Sequence, residues 1–208
     1  MSADVLKMIK DNEVQYVDLR FTDMRGKMQH VTMDVSMVDE NFFTEGTMFD
    51  GSSIAGWKAI NESDMVMMPD AMGAHIDPFY QQTTLALFCD ILEPGTLQPY
   101  NRCPRGIGKK AEAYIAASGV GDTGYFGPEA EFFVFDDVRW STDPWNTGYS
   151  FDSTELPANT GKHYEAGNMG HRPGPKGGYF PVPPIDSGQD LRGEMLAVMG
   201  EIGLQPEK

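Results

Sequence analysis

Apolar positions in the first half of the chain alternate more often than they follow helical spacing. Val17, Leu19 and Phe21 alternate with Asp18 and Arg20, and Lys27 to Met33 alternates again after a turn at Asp23-Met24-Arg25-Gly26. This pattern predicts a hairpin over 14–33. Ahead of it, Ser2 can cap a helix in which Val5, Leu6 and Ile9 share a face. A short helix is expected over Ser36 to Phe43. Glu45 to Gly56, with its glycines and serines among few periodic apolar residues, reads as a structured loop. Met65 to Met68 and Thr84 to Leu92 read as strands, the second ending at the Glu93-Pro94-Gly95 turn. Together these elements predict a small α+β sheet domain.

Asn101 to Arg105 marks a boundary, which places the domains at 1–103 and 104–208. Pro104 suits the first turn of a helix that Ile107, Ala111, Tyr114 and Ile115 continue to Ser118-Gly119. Tyr125 to Val138 reads as a long strand. Ser141 to Gly161 has little apolar periodicity and reads as a surface excursion. Ser187 and Asp190 can cap a last helix with a face of Leu191, Met195, Val198, Met199 and Ile202, closed by Gly203. Leu204 to Lys208 then opens what reads as a further connection, so the second domain is expected to be incomplete.

Composition narrows the function. The chain has 208 residues, 40% of them hydrophobic, and a formal net charge of −15. So acidic a surface repels phosphate backbones and argues against nucleic-acid binding. No apolar run is long enough to span a bilayer, and Met1-Ser2-Ala3-Asp4 lacks the order of a secretory signal, so a cytoplasmic protein is expected. Cys89 and Cys103 lack the spacing of a zinc site or a disulfide framework. Cys89, inside an apolar run, is expected to be buried.

Three constellations carry candidate chemistry. In Gly127-Pro128-Glu129-Ala130-Glu131-Phe132-Phe133, residues two apart on a strand project to one side, about 7 Å apart. Paired carboxylates among apolar neighbours either take up a proton or share a hard cation such as Mg²⁺ or Mn²⁺. An edge strand with one wet face reads equally well. Met48 to Ser53 presents Asp50 ahead of Gly51 and two hydroxyls, either to hold one carboxylate in place or as an ordinary turn. Asn168 to Pro173 and Lys176 to Pro181 mix cations, glycines and an aromatic pair, suited to an anionic ligand or to a plain surface loop.

Taken in order, Phe49-Asp50-Gly51-Ser52-Ser53, Asn61-Glu62-Ser63-Asp64-Met65, Gly127-Pro128-Glu129-Ala130-Glu131-Phe132-Phe133 and Lys176-Gly177-Gly178-Tyr179-Phe180-Pro181 resemble the successive N-terminal signatures of bacterial type I glutamine synthetases. Val17 to Asp23 and Cys89 to Thr96 extend the similarity. It covers nearly the whole chain apart from 141–161. Ala130 stands where a proline is common between the two glutamates.

The resemblance implies a β-grasp-like N-terminal domain followed by an incomplete catalytic α+β domain. It implies an enzyme that joins ammonium to the γ-carboxylate of glutamate at the expense of ATP, through γ-glutamyl phosphate. By resemblance, Glu129 and Glu131 each help bind one of two Mg²⁺ or Mn²⁺ ions. Asp50 takes a proton from ammonium, Ser53 and Tyr179 line the ammonium site, and Glu207 contacts the nucleotide. The family's complete enzymes are homododecamers of two hexameric rings, in which the Asp50 loop completes a neighbour's site. A chain of this length is therefore expected to be inactive alone. A γ-glutamyl-amine ligase and a non-catalytic oligomerisation or regulatory module are the alternatives.

Overall fold

A computed structural model describes residues 2–156 and 172–207. The chain divides into two compact units, one running to Phe126 together with Gly200–Gln205, the other holding Gly127–Met199 and the residues from Pro206 on.

The first unit opens with helix α1 (Ser2–Asp11), which buries Val5. The predicted hairpin follows. Strand β1 (Tyr16–Thr22) pairs antiparallel with β2 (Met28–Asp34), with Leu19 opposite Val31. Asp23 shapes the turn between them. Its Oδ1 accepts from the backbone N–H of Arg25 at 2.8 Å and of Lys27 at 3.0 Å, and its Oδ2 accepts from the Gln29 side chain at 2.9 Å. The helix expected over Ser36 to Phe43 is instead broken in two: a single 3-10 turn at Val35–Met37 and a short α2 (Phe42–Glu45). Asp34 and Asp39 explain the break, since each accepts from a backbone N–H two residues on and so competes with helical bonding.

Three further strands complete the sheet: β3 (Thr47–Asp50), β4 (Asp64–Ile76) and β5 (Thr84–Leu92). The order is β2-β1-β5-β4-β3. β1 and β5 run parallel at the centre, and the outer neighbours pair antiparallel. Thr84 to Leu92 forms as expected, whereas β4 runs well past Met68 through an irregularity between Asp70 and His75. β3 lies within the segment expected to be a loop.

Side-chain alternation gives this sheet two unlike faces. Val17, Leu19, Met65, Met67, Leu85, Leu87 and Ile91 form the core on one face. Cys89 lies there too, and burial pushes its thiol up to about 12, so it packs as a small hydrophobe. The other face is polar. Asp18 is fully buried; its Oδ1 accepts from the Thr32 hydroxyl at 2.7 Å and lies 2.6 Å from His30 Nδ1, while Oδ2 accepts from Arg20 Nε at 2.7 Å. Arg20 also bonds Asp77 at 2.5 Å. Burial alone would raise Asp18 and Asp77, but the donors around them prevail and hold both carboxyls below the usual range. Helix α3 (Pro104–Ser118) begins with Pro104 in its first turn, as expected. Arg105 and Lys109 each reach Asp90 and Asp70 on the sheet, the Arg105 Nε to Asp90 Oδ1 distance being 3.1 Å. These ion pairs tie α3 to the first unit.

The second unit departs from expectation. Residues 121–135 form no regular element, so the strand expected over Tyr125 to Val138 is absent there and begins only at Asp137. A strand needs a neighbour for its N–H and C=O groups, and no described segment forms a ladder with 125–135. Conversely, the surface excursion expected from Ser141 contains a hairpin, β6 (Asp137–Asp143) and β7 (Asn146–Asp152). Arg139 on β6 bonds Asp152 on β7 at 3.2 Å. Helix α4 (Gln189–Glu201) forms after Ser187, without a buried residue.

Candidate functional site

The best-formed feature is the turn after β3. Asp50 closes that strand and caps a 3-10 turn at Gly51–Ser53. Its Oδ1 accepts from the Ser52 backbone N–H at 2.8 Å and the Ser52 hydroxyl at 2.6 Å; its Oδ2 accepts from the Ser53 hydroxyl at 2.8 Å. Those donors, the Ser52 hydroxyl foremost, hold the exposed Asp50 carboxyl below the usual carboxylate range. It is therefore an oriented anion at neutral pH.

Packing holds the turn in place. Gly51 is buried, and its N–H donates to Ser63 O at 2.7 Å. A Cβ at Gly51 would lie 2.4 Å from Met65 Sδ, so only glycine lets β3 approach the core this closely. Phe49 before the turn and Trp57 after it join one aromatic cluster, with ring centroids 5.3 Å and 5.4 Å from Phe21. Tyr100 donates its hydroxyl to Trp57 O at 2.9 Å. Nearby, a shallow cleft of about 480 Å³ is lined by Lys58, Ile60, Glu62, Asp64 and Glu93, and takes in the Asn61-Glu62-Ser63-Asp64 motif.

The other candidate residues lie in the second unit, and there the geometry is open. Glu129 and Glu131 are exposed on the irregular segment. Phe132 and Phe133 are each 56% exposed. Oxygen donors of this type suit a hard divalent cation. Among the described residues, however, no three His, Cys, Asp or Glu side chains converge on a metal position. Tyr179 is exposed and packs edge-to-face on Phe180, with centroids 4.5 Å apart. Their loop folds back at Gly177, where a Cβ would lie 2.0 Å from Pro173 O. Asp186 and Arg192 form an ion pair at the far end of the same loop, the Gly188 N–H also donating to Asp186 at 3.0 Å. Glu207 is exposed beyond α4. Asn168 to His171 of the third constellation lie outside the described residues. The structure thus joins Asp50 and Ser53 in one site and gives the remaining candidates no shared site within the second unit.

Ser52 is the residue that sequence reasoning passed over. The motif by itself offers Ser52 only as a hydroxyl, and the resemblance assigns Ser53 alone to the site. The signal was present: an Asp two residues ahead of a Ser is the pattern of an Asp-capped turn.

Comparison with known proteins agrees along the chain. The glutamine synthetase beta-Grasp domain family matches residues 13–94, and the glutamine synthetase catalytic domain family matches residues 101–208. The chain is 68% identical over 207 residues to a glutamine synthetase of Bradyrhizobium diazoefficiens and 58% identical over 208 residues to one of Salmonella typhimurium. It is covered completely in both alignments and spans 44% of each relative's length. The fold matches a Plasmodium falciparum glutamine synthetase solved by cryo-electron microscopy with a TM-score of 0.83 at 22% identity, over all of this chain and 41% of that one. With two successive domain families accounting for it from residue 13 onward, the chain belongs to the glutamine synthetase family.

Proposed function

We propose that this chain contributes to ATP-dependent ligation of ammonium to the γ-carboxylate of glutamate. The observation that carries the reading is the preformed Asp50 anion, held by Ser52 and Ser53, within a chain that two glutamine synthetase domain families cover in order.

The reaction balances as follows. A γ-carboxylate oxygen of glutamate attacks the γ-phosphorus of ATP, and ADP leaves. Asp50 attracts ammonium and takes one of its protons. The resulting ammonia attacks the γ-carbonyl carbon, the bond from that carbon to the phosphate oxygen breaks with its electron pair on the departing inorganic phosphate, and the new C–N group sheds its extra proton to phosphate or water. A carboxylate already stabilised by three hydrogen bonds is a better cation holder than base, so the first task of Asp50 is to hold ammonium where deprotonation yields a positioned nucleophile. Ser53 and Tyr179 line that ammonium position, and Glu207 contacts the nucleotide.

Glu129 and Glu131 each contribute a carboxylate toward Mg²⁺ or Mn²⁺ in a ligand set completed by residues elsewhere. Divalent ions bound there would screen the phosphoryl oxygens. The segment 125–135 gains its strand partners in the same completion. Asp50 serves the site of a neighbouring copy in a cytoplasmic homododecamer, and the exposed aromatic side chains of the second unit suit burial in such an assembly. The division at 103/104 stands as a domain proposal because Pro104 opens a new helix; Arg105 and Lys109 account for its attachment to the first sheet.

The test uses a protein of the relatives' length that carries this sequence. Asp50→Ala is expected to cut glutamine formation at least about a hundredfold while ATP binding changes less than about twofold. Equal loss of both would reduce the loop to a structural element.

A further inference from the structure

The turn after β3 holds Asp50 with more donors than Ser53 supplies. We infer that Ser52 is a positioning residue for Asp50, fixing Oδ1 so that the carboxylate presents one orientation to an incoming cation; this rests on the proposed ammonium role of Asp50. Two of the three bonds to the carboxylate come from Ser52, and its hydroxyl makes the shortest, at 2.6 Å. The scaffold beneath is rigid, because Gly51 is bonded to Ser63 O and abuts Met65, a fully buried core side chain. The residue facing Asp50 across the β3–β4 ladder is Asp64. Like charges directly opposite repel, and without its donors Asp50 would have reason to swing away. Ser52 and Ser53 hold it instead. Oδ1 accepts two bonds and is filled, whereas Oδ2 accepts one and keeps a lone pair for a ligand, since each carboxylate oxygen offers about two acceptor positions. Loss of the Ser52 hydroxyl leaves Oδ1 with the backbone donor alone and frees the side chain to sample other rotamers.

A purely local role is the competing reading, and the molecule contains a matched control. Asp34 accepts from the Ser36 N–H at 2.9 Å ahead of the 3-10 turn at Val35–Met37, the same Asp-x-Ser arrangement away from the candidate site. In the full-length protein, Ser52→Ala is expected to raise KM for ammonium about tenfold. KM for glutamate and ATP should stay within about twofold, and the acid limb of kcat/KM for ammonium should move to higher pH, because fewer donors then stabilise the Asp50 anion. Ser52→Thr, which keeps the hydroxyl, is expected to recover most of the loss, and Ser36→Ala to leave all three KM values unchanged. The inference is overturned if Ser52→Ala lowers the melting temperature but leaves KM for ammonium alone, or if Ser52→Thr fails as badly as alanine. Asp50→Ala, run alongside, separates the two levels. If it leaves ammonium dependence intact, the ammonium role itself falls. If it abolishes that dependence while Ser52→Ala does nothing, only the role of Ser52 falls.

Discussion

The two units of this chain solve the same problem to different degrees. In the first, the sheet has an apolar face sealed by its own helices and a polar face where Asp18, Arg20, His30 and Asp77 satisfy one another. In the second, Phe132, Phe133, Trp140 and Trp145 are all more than half exposed, and the segment bearing Glu129 and Glu131 has no strand neighbour among the described residues. The contrast teaches that a site residue is only as well placed as the element beneath it. Asp50 stands on a finished sheet and arrives oriented. Glu129 and Glu131 stand on irregular backbone with no ladder partner among the described residues.

Mutation in the two units should break or sharpen this contrast. The largest effect is expected from Leu87→Ala, which empties a fully buried position and should cost about 2–5 kcal/mol. Phe133→Ala should cost under about 0.5 kcal/mol in the same 208-residue chain, because that ring is already half in water. Denaturant unfolding followed by hydrogen exchange reads both, and equal losses would erase the distinction. Next is Asp18→Ala, expected to cost about 3 kcal/mol by removing the buried carboxylate that Arg20, His30 and Thr32 share, which leaves Arg20 to Asp77 alone. A loss under about 0.5 kcal/mol, the range of an ordinary surface site, would show that the polar network does not brace the sheet.

The acid response should follow the same division. Asp18, Asp70 and Asp77 are all held below the ordinary carboxyl range in the folded state. Their contribution is full above the unfolded value of about 3.9 and is lost as pH falls through the folded values. The first unit should therefore lose stability as pH falls below about 4, read as faster exchange in β1 and β5. An acid-insensitive first unit would contradict the network. A smaller effect than that of Asp18→Ala is expected from Gly51→Ala, about 1 kcal/mol as its new methyl displaces Met65. Its signature should be local, with faster exchange at Gly51 to Ile54 and little change in β1.

Legibility in the sequence followed the same line. The hairpin of Val17 to Met33, the strand Thr84 to Leu92 and the Pro104 helix start were all readable, because local alternation, turn chemistry and capping agreed with the tertiary partners. β3 was not, because a four-residue edge strand with Gly46 and Gly51 at its ends takes its extended form from pairing with β4 rather than from its own pattern. The hairpin at Asp137 to Asp152 is short of signal because only two apolar residues alternate on each strand, Val138 and Trp140 against Phe151 and Tyr149, and that face is largely exposed. Over Tyr125 to Val138 the error ran the other way. The aromatic and β-branched run Phe132-Phe133-Val134-Phe135 announces a strand, but such propensity does not supply a ladder partner. At the candidate site, the identity of Asp50 was legible from its motif. The donors that orient it depended on the backbone path that Gly51 makes possible.

The most direct measurement is phosphate release by the purified 208-residue chain given ATP, Mg²⁺, glutamate and ammonium. No release above the uncatalysed background is expected, because the Asp50 turn is built while the Glu129 and Glu131 segment lacks the partners to hold an ion. Sustained turnover at an enzymatic rate would contradict that division of labour between the two units.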